Sequence, residues 1–252
     1  MIRVGLLGCG NVGSIIAREH VGVEIAALHD RIPEKAEGVA QLCNAAVYRD
    51  FSSFVRADLD VIVEAASVAA VRDHAVEILS NGKDMVILSV GALSDAGFRD
   101  RITALAREKG QKIRIPSGAI LGLDNLKVGQ IVPLTRLLLR TTKSPESLNI
   151  RADRRMMIFS GKANDCIREF PKNINVAVAL GLAAGREADV EIWIDPGVDR
   201  NIHEIVAEGV FGEVSIRVSN VPSADNPSTS YLAALSILTL LKNLDEPLVV
   251  GT

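Results

Sequence analysis

The stretch Val4-Gly5-Leu6-Leu7-Gly8-Cys9-Gly10-Asn11-Val12-Gly13 sets a Gly-x-Gly-x-x-Gly loop directly after a short apolar run. Between a strand and a helix, that spacing is the fingerprint of dinucleotide binding. Gly8 permits the tight turn out of the strand. Gly10 lets backbone amides approach a pyrophosphate, and Gly13 lets the following helix, expected over residues 12–20, lie close to the sheet. The helix start then turns unpaired N–H groups and a positive dipole end toward the phosphates, and Asn11 and Val12 are counted with the cofactor-binding loop. A second apolar run over residues 23–29 ends in Asp30, near the ~20-residue distance at which an acid accepts adenosine ribose hydroxyls. A plain strand, turn and helix with a solvated Asp30 would show the same pattern, so the rest of the chain must decide.

The chain has 252 residues, 48% hydrophobic and 23% charged, enough for a substantial core in one or two domains. A formal net charge of -3 and the lack of a dense Lys and Arg run give no electrostatic case for nucleic acid or an anionic membrane surface. The apolar stretches are interrupted well short of ~18 residues, and the N-terminus enters a strand without a signal core, so a cytoplasmic protein that neither spans nor coats a membrane is expected. Cys9, Cys43 and Cys166 are odd in number and far apart, which fits neither a disulfide framework nor a zinc site. Cys9 reads as a small filler in the glycine loop.

Up to about residue 118, apolar runs at 3–7, 23–28, 61–65, 85–88 and 112–115 alternate with helical patterns. This predicts α/β architecture with a doubly wound parallel sheet. Residues 68–80 read as a helix with Val71, Ala75, Ile78 and Leu79 on one side and Asn81-Gly82 as its stop. Ligands belong at the carboxyl ends of such strands. Those ends carry Gly8 to Gly13, Asp30, Ala66 and Ser67, the loop from Ser89 through Gly91 to Ala92, and the loop from Pro116 to Ala119. Beyond Leu123 the pattern becomes α+β: a weakly alternating strand at 135–142, an apolar strand at 190–194, and a hairpin over 204–219 turning near Phe211 and Gly212. Helices are predicted at about 173–184 and 230–244, the latter capped by Ser228 or Thr229 and able to pack back onto the first domain.

A carbon that gives up hydride beside nitrogen or oxygen needs a group to manage the accompanying proton, and histidine is the first candidate. His20, His29 and His74 lie in or beside elements of the first domain, whereas His203 stands in the polar segment Asp199-Arg200-Asn201-Ile202-His203-Glu204 of the second. An exposed or hydrogen-bonded hairpin histidine is the alternative there. Phe170-Pro171-Lys172-Asn173-Ile174-Asn175-Val176 places two amides and a cation at a helix start, a setting for a carboxylate or carboxamide, or simply an N-cap with a solvated lysine. No cluster of histidines and acids has metal-ligand spacing.

Several segments together resemble the L-aspartate dehydrogenase family: GLLGCGNVG at 5–13, IPSGAILGLD at 115–124, FPKNINVA at 170–177, NIHEI at 201–205 and NPSTSYLAALS at 226–236. The resemblance implies a nicotinamide-dependent enzyme converting L-aspartate to iminoaspartate, oxaloacetate and ammonia, and a place in NAD biosynthesis. It implies a Rossmann domain at 1–118 completed by a C-terminal helix at 228–252, with an α+β catalytic domain at 119–227. It also implies that His203 is catalytic and that Ala119 and Asn175 contact the cofactor near the nicotinamide. Lys172, Asn173, Ser228 and Thr229 are the candidate carboxylate donors, and a homodimer is expected. Asp30 favours NAD, while Arg31 offers a partner for the extra phosphate of NADP. A related dihydrodipicolinate-type or sugar dehydrogenase, or a non-catalytic NAD-binding regulator, would keep the glycine loop and change the second domain.

Overall fold

The apolar runs of the first half become the strands of one parallel sheet in a computed structural model of the chain, which describes residues 1–170, 174–223 and 226–251. In order they are β1 (Ile2–Leu7), α1 (Asn11–Glu19), β2 (Val23–His29), α2 (Pro33–Cys43), β3 (Ala46–Val47), α3 (Phe51–Val55), β4 (Val61–Glu64), α4 (Val68–Ser80), β5 (Asp84–Ile87), α5 (Ala96–Lys109) and β6 (Ile113–Arg114). The six strands lie in the order β3-β2-β1-β4-β5-β6, every pairing parallel. Strands buried on both faces must be apolar throughout, and Val4, Leu6, Ile62, Val63 and Val86 are all fully buried. Helix α4 buries Val71, Ala75, Ile78 and Leu79, the side expected from its periodicity. Asp50, Ser67 and Asp95 cap α3, α4 and α5 by accepting from Ser53, Ala70 and Phe98 N–H groups. Because the strand order reverses between β1 and β4, the crevice for a ligand lies above their carboxyl ends.

The contacts divide the chain into Met1–Pro116 with Ala234–Val249, and Ser117–Ala233 with 250–252. The second unit begins with α6 (Leu123–Leu126) and continues through β7 (Leu134–Lys143), β8 (Met156–Lys162), α7 (Ala163–Glu169), α8 (Ile174–Ala184), β9 (Asp189–Ile194), β10 (Ile202–Gly209) and β11 (Gly212–Ser219). It ends in the short pair β12 (Pro222–Ser223) and β13 (Asn226–Ser230), and then comes α9 (Tyr231–Lys242), whose greater part belongs to the first unit. Its five-stranded sheet has the order β11-β10-β7-β9-β8, with β7 and β9 parallel and the other neighbours antiparallel. Leu137, Leu139, Val190, Ile192, Ile205 and Ala207 share a cluster with Ala177, Leu180 and Ala184 of α8. One face of this sheet is therefore covered by helix.

Two local expectations change. The last helix starts at Tyr231, and Ser228 and Thr229 lie in β13 instead of capping it, because Ser223↔Asn226 and Pro222↔Ser230 pairing draws 226–230 into an extended ladder. The hairpin turn sits at Val210-Phe211, with Gly209↔Gly212 closing the ladder.

Candidate active site

The glycine loop of the first unit is built around three different demands. Gly8 has φ +104, and a Cβ there would lie 2.7 Å from the Ala66 Cβ and 2.8 Å from the Ala65 carbonyl oxygen. At Gly13 a Cβ would meet the Gly8 carbonyl oxygen at 2.3 Å, so only glycine lets α1 start this close to the loop. Gly10 differs: no heavy atom lies within 4 Å of a Cβ there. Its bareness serves no packing need inside the protein and leaves room above the first turn of α1 for a ligand that approaches backbone. That turn has no acidic residue and no side-chain cap, so its positive dipole end faces an anion without a competing carboxylate.

Asp30, at the end of β2, accepts from Cys9 N at 2.7 Å through Oδ2 and from Ile32 N at 2.8 Å through Oδ1. A carboxylate has about four acceptor positions, so lone pairs remain for two ribose hydroxyls while the loop holds the side chain in place. The Gly8 N–H donates to the His29 carbonyl at 2.8 Å, tying the same two strand ends together. Burial, assisted by the Asp30 charge, pushes the Cys9 thiol up to about 12, which makes it an unreactive filler at neutral pH.

Ala66, Ser67, Ser89 and Gly91 gather at the ends of β4 and β5, and an acid absent from the sequence reading organises them. Glu64 is fully buried; its Oε1 accepts from Ala66 N, Ser67 N and Ser89 Oγ, each at 2.8 Å, and its Oε2 accepts from Ser89 N at 2.9 Å. Burial pushes its carboxyl above the usual range, against hydrogen bonds from Ser89, Ala66 and Ser67 that pull the other way. Ser67 Oγ is occupied as the cap of α4, and Gly91 is buried in a 3-10 turn, Val90–Ser94. The signal was there to read: a single acid closing the otherwise apolar run Val61-Ile62-Val63-Glu64.

In the second unit, alternation along β10 puts His203 on the same face as Ile205 and Ala207, and register sets it opposite Thr141 of β7. The Thr141 hydroxyl lies 3.0 Å from His203 Nδ1. His203 is 6% exposed, and burial first, then the Lys143 charge, lowers its imidazole to about 4. The ring is thus neutral at physiological pH, with Thr141 fixing one nitrogen and Nε2 without a hydrogen-bond partner among the described residues. Gln130 Nε2 donates to the Leu182 and Ala183 carbonyls, and Arg186 Nη1 donates to the Leu134 carbonyl. The carboxyl end of α8 therefore sits at the start of β7, and Asn175 lies in the first turn of that helix. Lys172 and Asn173 lie outside the described residues.

The Ala119 loop is held from below. Gly118 has φ +64, and the Ala119 carbonyl accepts from Asn220 Nδ2 at 2.9 Å. Asn220 is buried; its backbone N–H donates to the Asn201 carbonyl at 2.9 Å, and its Oδ1 accepts from Ser230 Oγ, so its side chain ties the loop to the end of β13 while its backbone holds the entry to β10. Thr229 is half-buried on β13, beside Ser228 in sequence. The remaining histidines have packing roles: His29 Nδ1 lies 2.9 Å from the Tyr48 carbonyl oxygen beside Phe51 and Phe54, His74 stacks on Phe51 at 3.8 Å, and His20 Nδ1 lies 2.8 Å from the Ala17 carbonyl oxygen. Among the described residues, no group of three His, Cys, Asp or Glu side chains is placed to hold a metal, and no helix is long and apolar enough to cross a membrane.

Comparison with known proteins adds the family. Residues 8–116 match the family described as homoserine dehydrogenase, NAD binding domain, and residues 124–244 match aspartate dehydrogenase, C-terminal. An L-aspartate dehydrogenase of Methanospirillum hungatei is 61% identical over 252 residues, covering 100% of both chains. One of Methanothermobacter thermautotrophicus is 42% identical over 256 residues, covering 100% of this chain and 99% of the other. The crystal structure of aspartate dehydrogenase from Thermotoga maritima superimposes with a TM-score of 0.82 at 28% identity, covering 100% of both chains. With full-length identity at this level and a buried histidine in the matching second unit, the chain belongs to the L-aspartate dehydrogenase family.

Proposed function

We propose that this chain catalyses the NAD(P)-dependent oxidative deamination of L-aspartate to iminoaspartate, which water converts to oxaloacetate and ammonia. The observation that carries the residue-level reading is His203, a buried neutral imidazole oriented through Nδ1 by Thr141. Aspartate arrives as an ammonium, and its Cα can release hydride only after the nitrogen has lost a proton. In the tautomer that donates Nδ1–H to Thr141 Oγ1, 3.0 Å away, Nε2 is the acceptor for that proton. Burial alone makes the imidazole a weak base, and the two carboxylates of a bound aspartate oppose that effect by favouring the imidazolium. After passing the proton to solvent, His203 can take another from the water that attacks the iminium carbon. The bound nicotinamide supplies the hydride acceptor.

The first unit suits that cofactor, with Gly8 to Gly13, including Asn11 and Val12, cradling the pyrophosphate. Asp30 would take the adenosine ribose, and the Glu64-bound loops at Ala66, Ser67, Ser89 and Gly91 would flank the other half. Ala119 and Asn175 would contact the nicotinamide end. Lys172, Asn173, Ser228 and Thr229 are assigned to the substrate carboxylates, and the Lys143 charge adds positive potential for a dianion. Asp30 supports NAD, with Arg31 as the partner for an NADP phosphate. The reading extends to a cytoplasmic homodimer that supplies iminoaspartate to NAD biosynthesis.

Turnover with a panel of L-amino acids and polyols, each with NAD and NADP, tests the reading. L-Aspartate should be oxidised with oxaloacetate and ammonia in equal amounts. Oxidation of a polyol but not of aspartate would overturn it.

A further inference from the structure

Glu64 is a charged group to which deamination as described gives no task. It ends β4 opposite Leu7 of β1, the residue before the glycine loop, and Gly8 approaches Ala66 so closely that a Cβ would collide with it. Three backbone N–H groups, which can only donate, and the Ser89 hydroxyl converge on its two oxygens. Burial favours the neutral acid, but donors that can only donate occupy both oxygens and leave no acceptor for a carboxyl proton, so the arrangement is the complement of an ionised carboxylate. The loops after β4 and β5 thus turn these N–H groups inward onto Glu64, and the net charge of one partly compensated carboxylate stays beneath this edge of the crevice. Asp30 lies on the β2 side of β1 and Glu64 on the β4 side. A dinucleotide with its ribose at Asp30 and its pyrophosphate on the glycine loop extends its nicotinamide half toward β4 and β5.

We propose that Glu64 sets the redox-state preference of the bound cofactor, its buried carboxylate favouring the cationic oxidised nicotinamide over the neutral reduced ring. The inference rests on the reading of the first unit as a nicotinamide nucleotide site. Both cofactor forms carry the same pyrophosphate, so its interaction with Glu64 cancels in the ratio of their affinities. What remains is one anion acting on one positive charge that only the oxidised form has. At an effective dielectric of ~20, opposite unit charges within ~10 Å attract enough to change an affinity ratio by more than tenfold, and the donors around Glu64 reduce this to about fivefold or more. The preference serves a turnover that begins by binding oxidised cofactor.

Dissociation constants of NAD+ and NADH, measured by calorimetry for the wild type, Glu64→Gln and Glu64→Asp, test the proposal. Glu64→Gln removes the charge and should weaken NAD+ relative to NADH by about fivefold or more. Glu64→Asp keeps the charge and should hold the ratio near that of the wild type, even if both forms bind less tightly. A purely structural strut would weaken both forms alike in Glu64→Gln, and an unchanged ratio there overturns the proposal. Should Glu64→Gln fail to fold, the wild type decides: the proposal requires NAD+ to bind at least as tightly as NADH, and tighter NADH overturns it. Failure of the wild type to bind either form would remove the cofactor reading itself, whereas binding of both with an unchanged ratio removes only the role of Glu64.

Discussion

The burial of His203 bears both on the proposed chemistry and on stability. The proposed role of His203 as base is tested by a replacement that cannot titrate, which isolates proton transfer from positioning. His203→Asn keeps approximate size and hydrogen bonding, and should lower turnover of aspartate by ~10²-fold or more with NAD+ affinity nearly intact, since general acid–base groups contribute ~10² to 10⁴. The wild-type rate should rise with pH through an ionisation that the variant lacks. Wild-type turnover with the same pH profile in His203→Asn would reduce His203 to a positioning residue. Burial has a second consequence, because the folded imidazole near 4 binds a proton less readily than an unfolded one near 6.5. The unfolded state therefore takes up the proton first as pH falls. The stability contributed by neutral His203 is complete above pH 6.5 and lost between 6.5 and about 4, by ~3 kcal/mol at most. Urea midpoints of the wild type and His203→Asn should change differently across that window; parallel changes would show that His203 is not titrating in the folded protein as described.

At the scale of elements, the glycine loop separates two uses of the same residue type. Gly10 faces open space and has φ -78, a backbone any residue can adopt, so Gly10→Val should fold normally and lose cofactor binding. Gly13→Ala puts a methyl 2.3 Å from the Gly8 oxygen and should lower stability by roughly 1–3 kcal/mol, as overpacking does. Calorimetry with NAD+ and a denaturation curve on each variant distinguish them; equal stability loss in both would mean that Gly10 is also packed. The strands of the first unit were legible because burial on both faces leaves unbroken apolar runs such as Val61-Ile62-Val63. β8 was not legible: of its seven residues only Phe159 is buried, so no alternation marks it. β13, in the sequence Asn226-Pro227-Ser228-Thr229-Ser230, looks like a helix cap and is extended only because β12 pairs with it. The motif residues of the candidate site could be read in sequence, but their partners could not. Thr141 reaches His203 across 62 positions and Asn220 reaches Ala119 across 101, and neither pairing leaves a local pattern.

Across the whole molecule, the chain leaves its first unit at Pro116 and returns to it at Ala234, so that unit is completed by the last long helix. Ala234 and Ile237 of α9 are fully buried, and Leu241 is 1% exposed. Ile237→Ala should cost roughly 2–5 kcal/mol, and it should lower the denaturation midpoint without touching the His203 region. A loss below about 0.5 kcal/mol, the level of an ordinary surface change, would show that α9 is peripheral. The segment between, Ser117–Ala233, belongs to the second unit, so the glycine loop and His203 fall in different blocks of sequence. The proposed reaction stands or falls on hydride moving from Cα of aspartate to a nicotinamide. L-Aspartate deuterated at Cα, incubated with the wild type and NAD+, tests it most directly when the reduced cofactor is examined by mass spectrometry. The account predicts deuterium in the reduced nicotinamide and a slower hydride-transfer step in single-turnover measurements. Reduced cofactor without the label, or no reduction at all, would contradict it.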